Sequence, residues 1–196
     1  MLKRFIDIIL SFIALILLFP FFILFAILIK IDSKGPAFYS QIRVGKNNRD
    51  FKLWKFRSMR KSKSNQSLIT IGNDERITKA GRFLRAYKLD ELPQLFNIIM
   101  GDMSIVGPRP EVRKFVEKYI GDQLRVLSVR PGLTDYASLE YFNESEILEK
   151  FDDPEKAYID IIMPAKIELN LKYIDDKNSV KDFVIILKTI GRIIKS

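Results

Sequence analysis

One stretch limits every fold open to this chain. From Ile8 to Ile29 run 22 consecutive residues without a charge, almost all Ile, Leu, Phe or Ala. A helix of that length can cross the hydrocarbon layer of a bilayer. It is too long for the apolar part of a secretory signal, and no small-residue cleavage site follows it. The alternative is a core helix, but an all-round apolar helix would fill most of the interior that the remaining chain can enclose. The pattern predicts membrane insertion. Pro20 falls in the middle of the run, where it removes a backbone hydrogen bond and crowds the carbonyl four residues back. Lys3 and Arg4 flank the start, and Lys30 and Lys34 the end. With positive charge at both ends, the positive-inside preference selects neither orientation. A helix kinked at Pro20 that returns to the face it left satisfies both flanks; a spanning helix with a tolerated proline satisfies the hydropathy.

The remainder divides by charge. Residues 30–90 hold 16 basic and 5 acidic side chains, a local +11, whereas residues 135–160 hold nine acids against Lys150 and Lys156. A basic segment next to a membrane helix gains from anionic headgroups. The 196 residues include neither Cys nor His. Thiolate nucleophiles, Ser-His-Asp relays and His- or Cys-bound zinc are therefore excluded within one chain, as are disulfides. Acid–base or metal chemistry falls to carboxylates, Lys, Tyr or water.

Local signals predict a mostly α chain with short β-strands, an α+β fold. Phe38-Tyr39 and Phe51–Phe56 read as strands about a turn at Gly45–Asn48. Ser62–Ser67 reads as a polar loop, and Thr78 as the cap of a helix reaching about Lys88. Further helices are expected at Glu91–Met100, Glu111–Tyr119, Ser145–Lys150, Pro154–Tyr173 and Val180–Ile194. The last places Phe183, Val184, Leu187, Ile190 and Ile194 on one face and is expected to lie at the membrane interface.

The chemistry concentrates in Leu89-Asp90-Glu91-Leu92-Pro93-Gln94-Leu95. Since Pro93 tolerates only the first turn of a helix, Asp90 falls near an N-cap, and a plain capping role accounts for the pair on its own. The surroundings point further. Arg82, Arg85 and Lys88 approach Asp90 along the preceding helix, and Arg109 and Arg130 each sit beside prolines in stiff loops suited to binding phosphate. Adjacent carboxylates among arginines, without histidine, suggest metal-assisted phosphoryl chemistry, one carboxylate attacking phosphorus while Mg²⁺ neutralises phosphate oxygens.

The sequence resembles the bacterial sugar transferase family, the small monotopic phosphoglycosyl transferases. The resemblance is carried by Lys3-Arg4-Phe5-Ile6-Asp7, Gly35-Pro36-Ala37-Phe38-Tyr39-Ser40-Gln41, Trp54-Lys55-Phe56-Arg57-Ser58-Met59, Leu89-Asp90-Glu91-Leu92-Pro93-Gln94-Leu95-Phe96-Asn97, Val106-Gly107-Pro108-Arg109-Pro110 and Val129-Arg130-Pro131-Gly132-Leu133-Thr134. It implies transfer of a phosphosugar from a UDP-sugar to polyprenyl (undecaprenyl) phosphate with release of UMP, as the first membrane step of surface glycan assembly. It further implies Asp90 as the nucleophile of a covalent intermediate in a ping-pong scheme, and Glu91, together with Asp90, as the Mg²⁺ ligands. Lys55, Arg85 and Arg109 would contact the donor diphosphate and lipid phosphate; Arg130 is added as a substrate-binding residue by its place in the motif. The resemblance implies that residues 1–30 form a re-entrant membrane helix kinked at Pro20. Residues 31–196 would form a compact catalytic domain, with interfacial amphipathic helices, on the cytoplasmic face of the bacterial inner membrane. The additional N-terminal membrane domain of larger relatives is not expected.

Two departures bear on these expectations. Phe19-Pro20 replaces the Ser-Pro common in the family, removing a hydroxyl that could satisfy the freed carbonyl. Leu133–Ser138 replaces a Gly-rich continuation, so the identity of the sugar does not carry over. No nucleic-acid partner is expected, although charge alone would permit a tethered binder. A phosphohydrolase using the same dyad would be distinguished by whether the sugar phosphate ends on lipid, and a scaffold without chemistry by whether Asp90→Asn leaves cellular glycan intact.

Overall fold

The computed structural model describes residues 2–60 and 74–195. The polar loop expected at Ser62–Ser67 lies outside them.

The apolar run forms one helix, α1 (Leu2–Asp32), with Pro20 inside it. At 1.5 Å per residue its path is about 46 Å long. One stripe faces the rest of the protein: Asp7, Ser11, Phe22, Phe25 and Ile29 are buried, with Ala14, Leu15 and Leu18 packed between them. The three- and four-residue spacing is that of a single helical face. The other faces expose Phe5, Phe12, Ile16, Leu17, Phe19 and Phe21, among others, to the surroundings.

Both ends of α1 are tied to the same body. At the start, Lys3 Nζ donates to Asp182 Oδ2 at 2.7 Å, and Arg4 reaches the carbonyls of Ile99 and Met103. Asp7 is buried on this mostly apolar face, and its carboxylate accepts from Ser104 Oγ at 2.7 Å. At the far end Arg57, itself buried, donates to the carbonyls of Ile29, Ser33 and Lys34. Ile29 O also accepts from Ser33 N, and Ser33 and Lys34 lie just past the last helical residue, so Arg57 ties down the exit of α1.

The strands β1 (Phe38–Val44) and β2 (Asp50–Phe56) pair antiparallel, with Phe38 opposite Phe56 and Val44 opposite Asp50. The turn between them uses Asn47 and Asn48 in left-handed backbone, which Asn tolerates better than most residues. Phe56 packs against Phe22 and Phe25 of α1, with ring centroids 5.1 and 5.9 Å apart. Helix α2 (Lys79–Ala86) begins where Thr78 Oγ1 accepts from Gly81 N, as its cap pattern predicts. A 3₁₀ turn over Leu89–Glu91 then leads into α3 (Gln94–Met100), whose Asn97 is buried.

Two short parallel strands, β3 (Ser104–Val106) and β4 (Gly132–Thr134), were not anticipated from the sequence. Helix α4 (Arg113–Val116) is shorter than the expected Glu111–Tyr119, and a 3₁₀ segment occupies Gly121–Ser128. Next come α5 (Tyr136–Glu140), α6 (Glu144–Leu148) and α7 (Pro154–Ala157). Helix α7 continues through a π-helical turn at Tyr158–Ile162 into α8 (Met163–Asp176). The last helix, α9 (Ser179–Ile194), buries Ile185 and exposes Val180, Phe183, Val184, Leu187, Ile190 and Ile194. The larger core gathers Val106, Phe115, Leu148, Tyr158, Ile162, Ile167 and Tyr173. A second cluster joins Phe22, Phe25, Ile29, Phe56 and Leu84 beneath α1.

Candidate active site

Asp90 and Glu91 lie within the 3₁₀ turn and not at the cap of α3, which is Pro93. Neither carboxylate caps a helix, so the capping role does not account for the pair. The turn is launched by Lys88 in left-handed backbone, φ 54° and ψ 20°, a conformation uncommon for a long side chain.

The two carboxylates are both buried, but in opposite company. Glu91 Oε1 accepts from Lys55 Nζ at 2.8 Å, and Glu91 is gripped through both oxygens by Arg109, with Nη1 2.9 Å from Oε2. Burial pushes the Glu91 carboxyl up, but Arg109 and Lys55 outweigh it and hold the group well below the usual carboxylate range. Arg109 is correspondingly raised by Glu91. Asp90 takes no hydrogen bond or ion pair among the described residues. Burial raises its pKa, opposed first by Lys55 and then by Arg85 and Lys88, while Glu91 adds to the rise. One carboxylate is thus committed and the other is uncommitted.

Several elements position this cluster. Asn97, from α3, lies against the free edge of β2: Trp54 N donates to its Oδ1 at 3.0 Å and its Nδ2 donates to Lys52 O at 2.7 Å. This fixes the strand that carries Lys55. The Arg109 loop is held from three sides. Val44 N donates to Glu111 O, Gly107 N to Thr134 O, and Arg109 N to Asp135 Oδ2 at 3.0 Å. Asp135 is fully buried and also caps α5 by accepting from Ser138 N. Gly107 and Gly132 bring the two Pro-Arg loops into backbone contact. A Cβ on Gly132 would stand 2.2 Å from Gly107 N, and one on Gly107 2.6 Å from Arg130 O.

Of the residues singled out from sequence, Lys55, Asp90, Glu91 and Arg109 converge. Arg85 joins them through its field at Asp90. Arg130 stands apart: its Nε donates to Gly101 O at the end of α3, and its charge is felt by Arg4. Sequence reasoning missed Asp135, whose signal was an Asp placed to cap Tyr136–Glu140, and Asn97, whose role depends on a strand edge far away in sequence. Lys88, expected to approach Asp90 from the preceding helix, instead launches the turn and reaches Phe142. Lys88 Nζ donates to Phe142 O at 3.1 Å and lies 4.7 Å from the centre of the Phe142 ring, and burial lowers its pKa.

Mg²⁺ prefers hard oxygen donors and needs only one or two carboxylates beside phosphate and water. The dyad supplies that donor class: Asp90 is uncommitted, and Glu91 Oε2, which among the described residues accepts only from Arg109 Nη1, keeps a free lone pair. Among the described residues no cluster of three or more acidic groups offers a self-sufficient site. The substrate would have to complete the coordination.

Comparison with known proteins identifies the relatives of this chain. The chain is 37% identical over 196 residues to a UDP-N-acetylgalactosamine-undecaprenyl-phosphate N-acetylgalactosaminephosphotransferase of Aeromonas hydrophila, covering 98% of this chain and 43% of that protein. It is 38% identical over 193 residues to a UDP-glucose:undecaprenyl-phosphate glucose-1-phosphate transferase of Klebsiella pneumoniae, covering 96% of this chain and 39% of that one. It therefore spans about two-fifths of those relatives. An exopolysaccharide production protein, PSS, of Rhizobium leguminosarum is 38% identical and is covered over 93% of its length. The family model described as bacterial sugar transferase matches residues 1–196, and the chain belongs to that family.

Proposed function

We propose that this protein transfers a sugar 1-phosphate from a UDP-sugar to polyprenyl phosphate in two steps through Asp90. The observation that carries the reading is the division of labour in the dyad, an unpartnered buried carboxylate beside one locked by two cations. In the first step Asp90 attacks the sugar-bearing phosphorus of the donor. A new O–P bond forms, the bond to the bridging oxygen breaks, and UMP leaves with the electron pair. In the second, a phosphate oxygen of the lipid attacks the same phosphorus, restoring the Asp90 carboxylate and yielding a polyprenyl diphosphate sugar. Splitting the reaction at a carboxylate lets two large phosphate substrates use one site in turn. Lys55, Arg85 and Arg109 supply the positive field that gathers and orients both anions. Mg²⁺, held by Glu91 and Asp90 with the diphosphate, would neutralise phosphate charge. Undecaprenyl phosphate is the acceptor named for several relatives, which supports the same lipid class here.

The chain is proposed to act as a monotopic membrane protein, residues 1–30 forming a re-entrant helix and residues 31–196 the catalytic domain on the cytoplasmic face. Support comes from the ties at both ends of α1: Lys3, Arg4 and Asp7 at one end and Ile29 to Lys34 at the other bind one body. A helix crossing the bilayer would separate those ends by the hydrocarbon thickness, about 30 Å. The exposed apolar face of α9 is proposed to rest at the same interface.

Intact-protein mass after incubation with Mg²⁺ and a panel of UDP-sugars, without lipid, tests the mechanism. One phosphosugar should add to the wild-type chain and none to Asp90→Asn. UMP release that appears only with polyprenyl phosphate, with no adduct for any donor, would replace the covalent route by direct transfer.

A further inference from the structure

Outside the dyad, the described residues enclose a cavity of about 480 Å³ between α1 and α2. It is lined by Phe25, Leu28 and Ile31 of α1, by Ala80, Phe83 and Leu84 of α2, and by Asp32. The lone carboxylate is already engaged, since Asp32 Oδ2 accepts from Ala80 N at 2.8 Å. What remains is apolar. A volume of this size lies in the range of small-molecule sites, yet the cavity is built on the membrane helix and is unsuited to a nucleotide.

Its position relative to the dyad decides what would occupy it. Leu84 lines the cavity, and the next residue, Arg85, acts electrostatically on Asp90. Leu84 also belongs to the cluster of Phe22, Phe25, Ile29 and Phe56, against which Leu89 packs. Leu89 immediately precedes Asp90. The cavity therefore borders a buried apolar cluster that extends from the last turns of α1 to Leu89, the residue before Asp90, on which Lys55 and Arg85 act. A ligand matched to this run has an apolar chain at one end and a phosphate at the other, with its phosphate delivered to Asp90.

We infer that the α1–α2 cavity seats the phosphate-proximal isoprene units of the lipid acceptor. The inference rests on the transferase reading and adds to it the place where the chain is held. The cavity accommodates only the first few isoprene units, so the remaining chain stays in the bilayer. Recognition then distinguishes a long isoprenoid from a very short one but levels off once the cavity is filled. A phospholipid also offers an acyl chain and a phosphate, but its diester carries a single negative charge, whereas the acceptor's phosphate monoester carries up to two and is favoured by the basic field.

Full-length protein in nanodiscs can be assayed with undecaprenyl phosphate and with dimethylallyl phosphate, whose single isoprene unit leaves most of the cavity empty. Phe83→Ala removes one wall and Leu28→Trp fills the space from the other. Each should lower the ratio of kcat/KM for the long acceptor over the short one by about tenfold, the scale of losing one large apolar contact. General damage to the fold lowers both acceptors together, so an unchanged ratio in both variants overturns the inference. Photolabelling gives an independent reading. Undecaprenyl phosphate with a diazirine near its phosphate end should label the α2 peptide containing Phe83. A diazirine-bearing phosphatidylethanolamine that labels the same peptide, undiminished by excess undecaprenyl phosphate, would assign the cavity to bulk lipid. Because labelling requires no turnover and can be run on Asp90→Asn, its result is separable from failure of the transferase reading.

Discussion

Asp90 and Glu91 are neighbours in sequence, and their opposite titration behaviour has measurable consequences. Asp90 is raised, so its charged form weakens the fold: stability from this group is present below its unfolded pKa and declines as pH rises through the folded one. Glu91 is lowered, so its contribution is present above its unfolded pKa and is lost as pH falls through the folded one. Asp90→Asn should therefore abolish the phosphosugar adduct while leaving thermal stability at pH 7 unchanged or higher. Glu91→Gln should destabilise by about 1–2 kcal/mol, because it leaves the half-buried Arg109 and Lys55 without their carboxylate; equilibrium unfolding in detergent checks both. A second outcome concerns rate. Adduct formation by the wild type should fall on acidification with an apparent pKa above the ordinary Asp value of about 3.9, read by quenched mass spectrometry across pH. A midpoint at or below the ordinary value would contradict the buried, uncommitted state of Asp90.

At the scale of elements, short-range signals proved readable and long-range ones did not. The β1–β2 hairpin, the Thr78 cap and the helix ending at Ile194 follow from period, turn residues and capping chemistry. The β3–β4 pair consists of three-residue strands separated by a helix and a 3₁₀ segment, and its pairing depends on the close approach of Gly107 and Gly132. No local pattern encodes that approach. The site was legible in part for the same reason. Asp90 and Glu91 stand in one motif, but that Arg109 would clasp Glu91 while Arg130 turned to Gly101 is settled by the path of two loops. The most demanding junction is Arg57, which serves three carbonyls at the end of α1. Arg57→Met keeps much of the side-chain volume and removes the donors. It should cost about 2–3 kcal/mol, since several carbonyls lose a charged partner, and should expose the residues following Ile29 to proteolysis.

For the whole molecule, the clearest test concerns the two ends of α1. The chain has no cysteine of its own, so single cysteines at Leu2 and Lys34 report cleanly. In sealed inverted vesicles both should react with a membrane-impermeant maleimide, and in right-side-out cells neither should. Labelling of the two positions from opposite sides would establish a spanning helix and would require the contacts of Lys3, Arg4 and Asp7 with the catalytic domain to be absent in the membrane.

The ion pair between Lys3 and Asp182 joins residues 179 apart in sequence, and this spacing bears on how the protein is born. During synthesis α1 emerges before its partners at Ile99, Met103 and Ser104, and Asp182 follows later still. At roughly 5–20 residues per second, the apolar helix waits about ten seconds or longer for the contacts that hold its first turn. It must spend that interval sheltered by lipid or by a chaperone; if lipid shelters it, the domain completes its folding around a helix that is already inserted. Time, as well as hydropathy, favours a chain that meets its membrane before it meets itself.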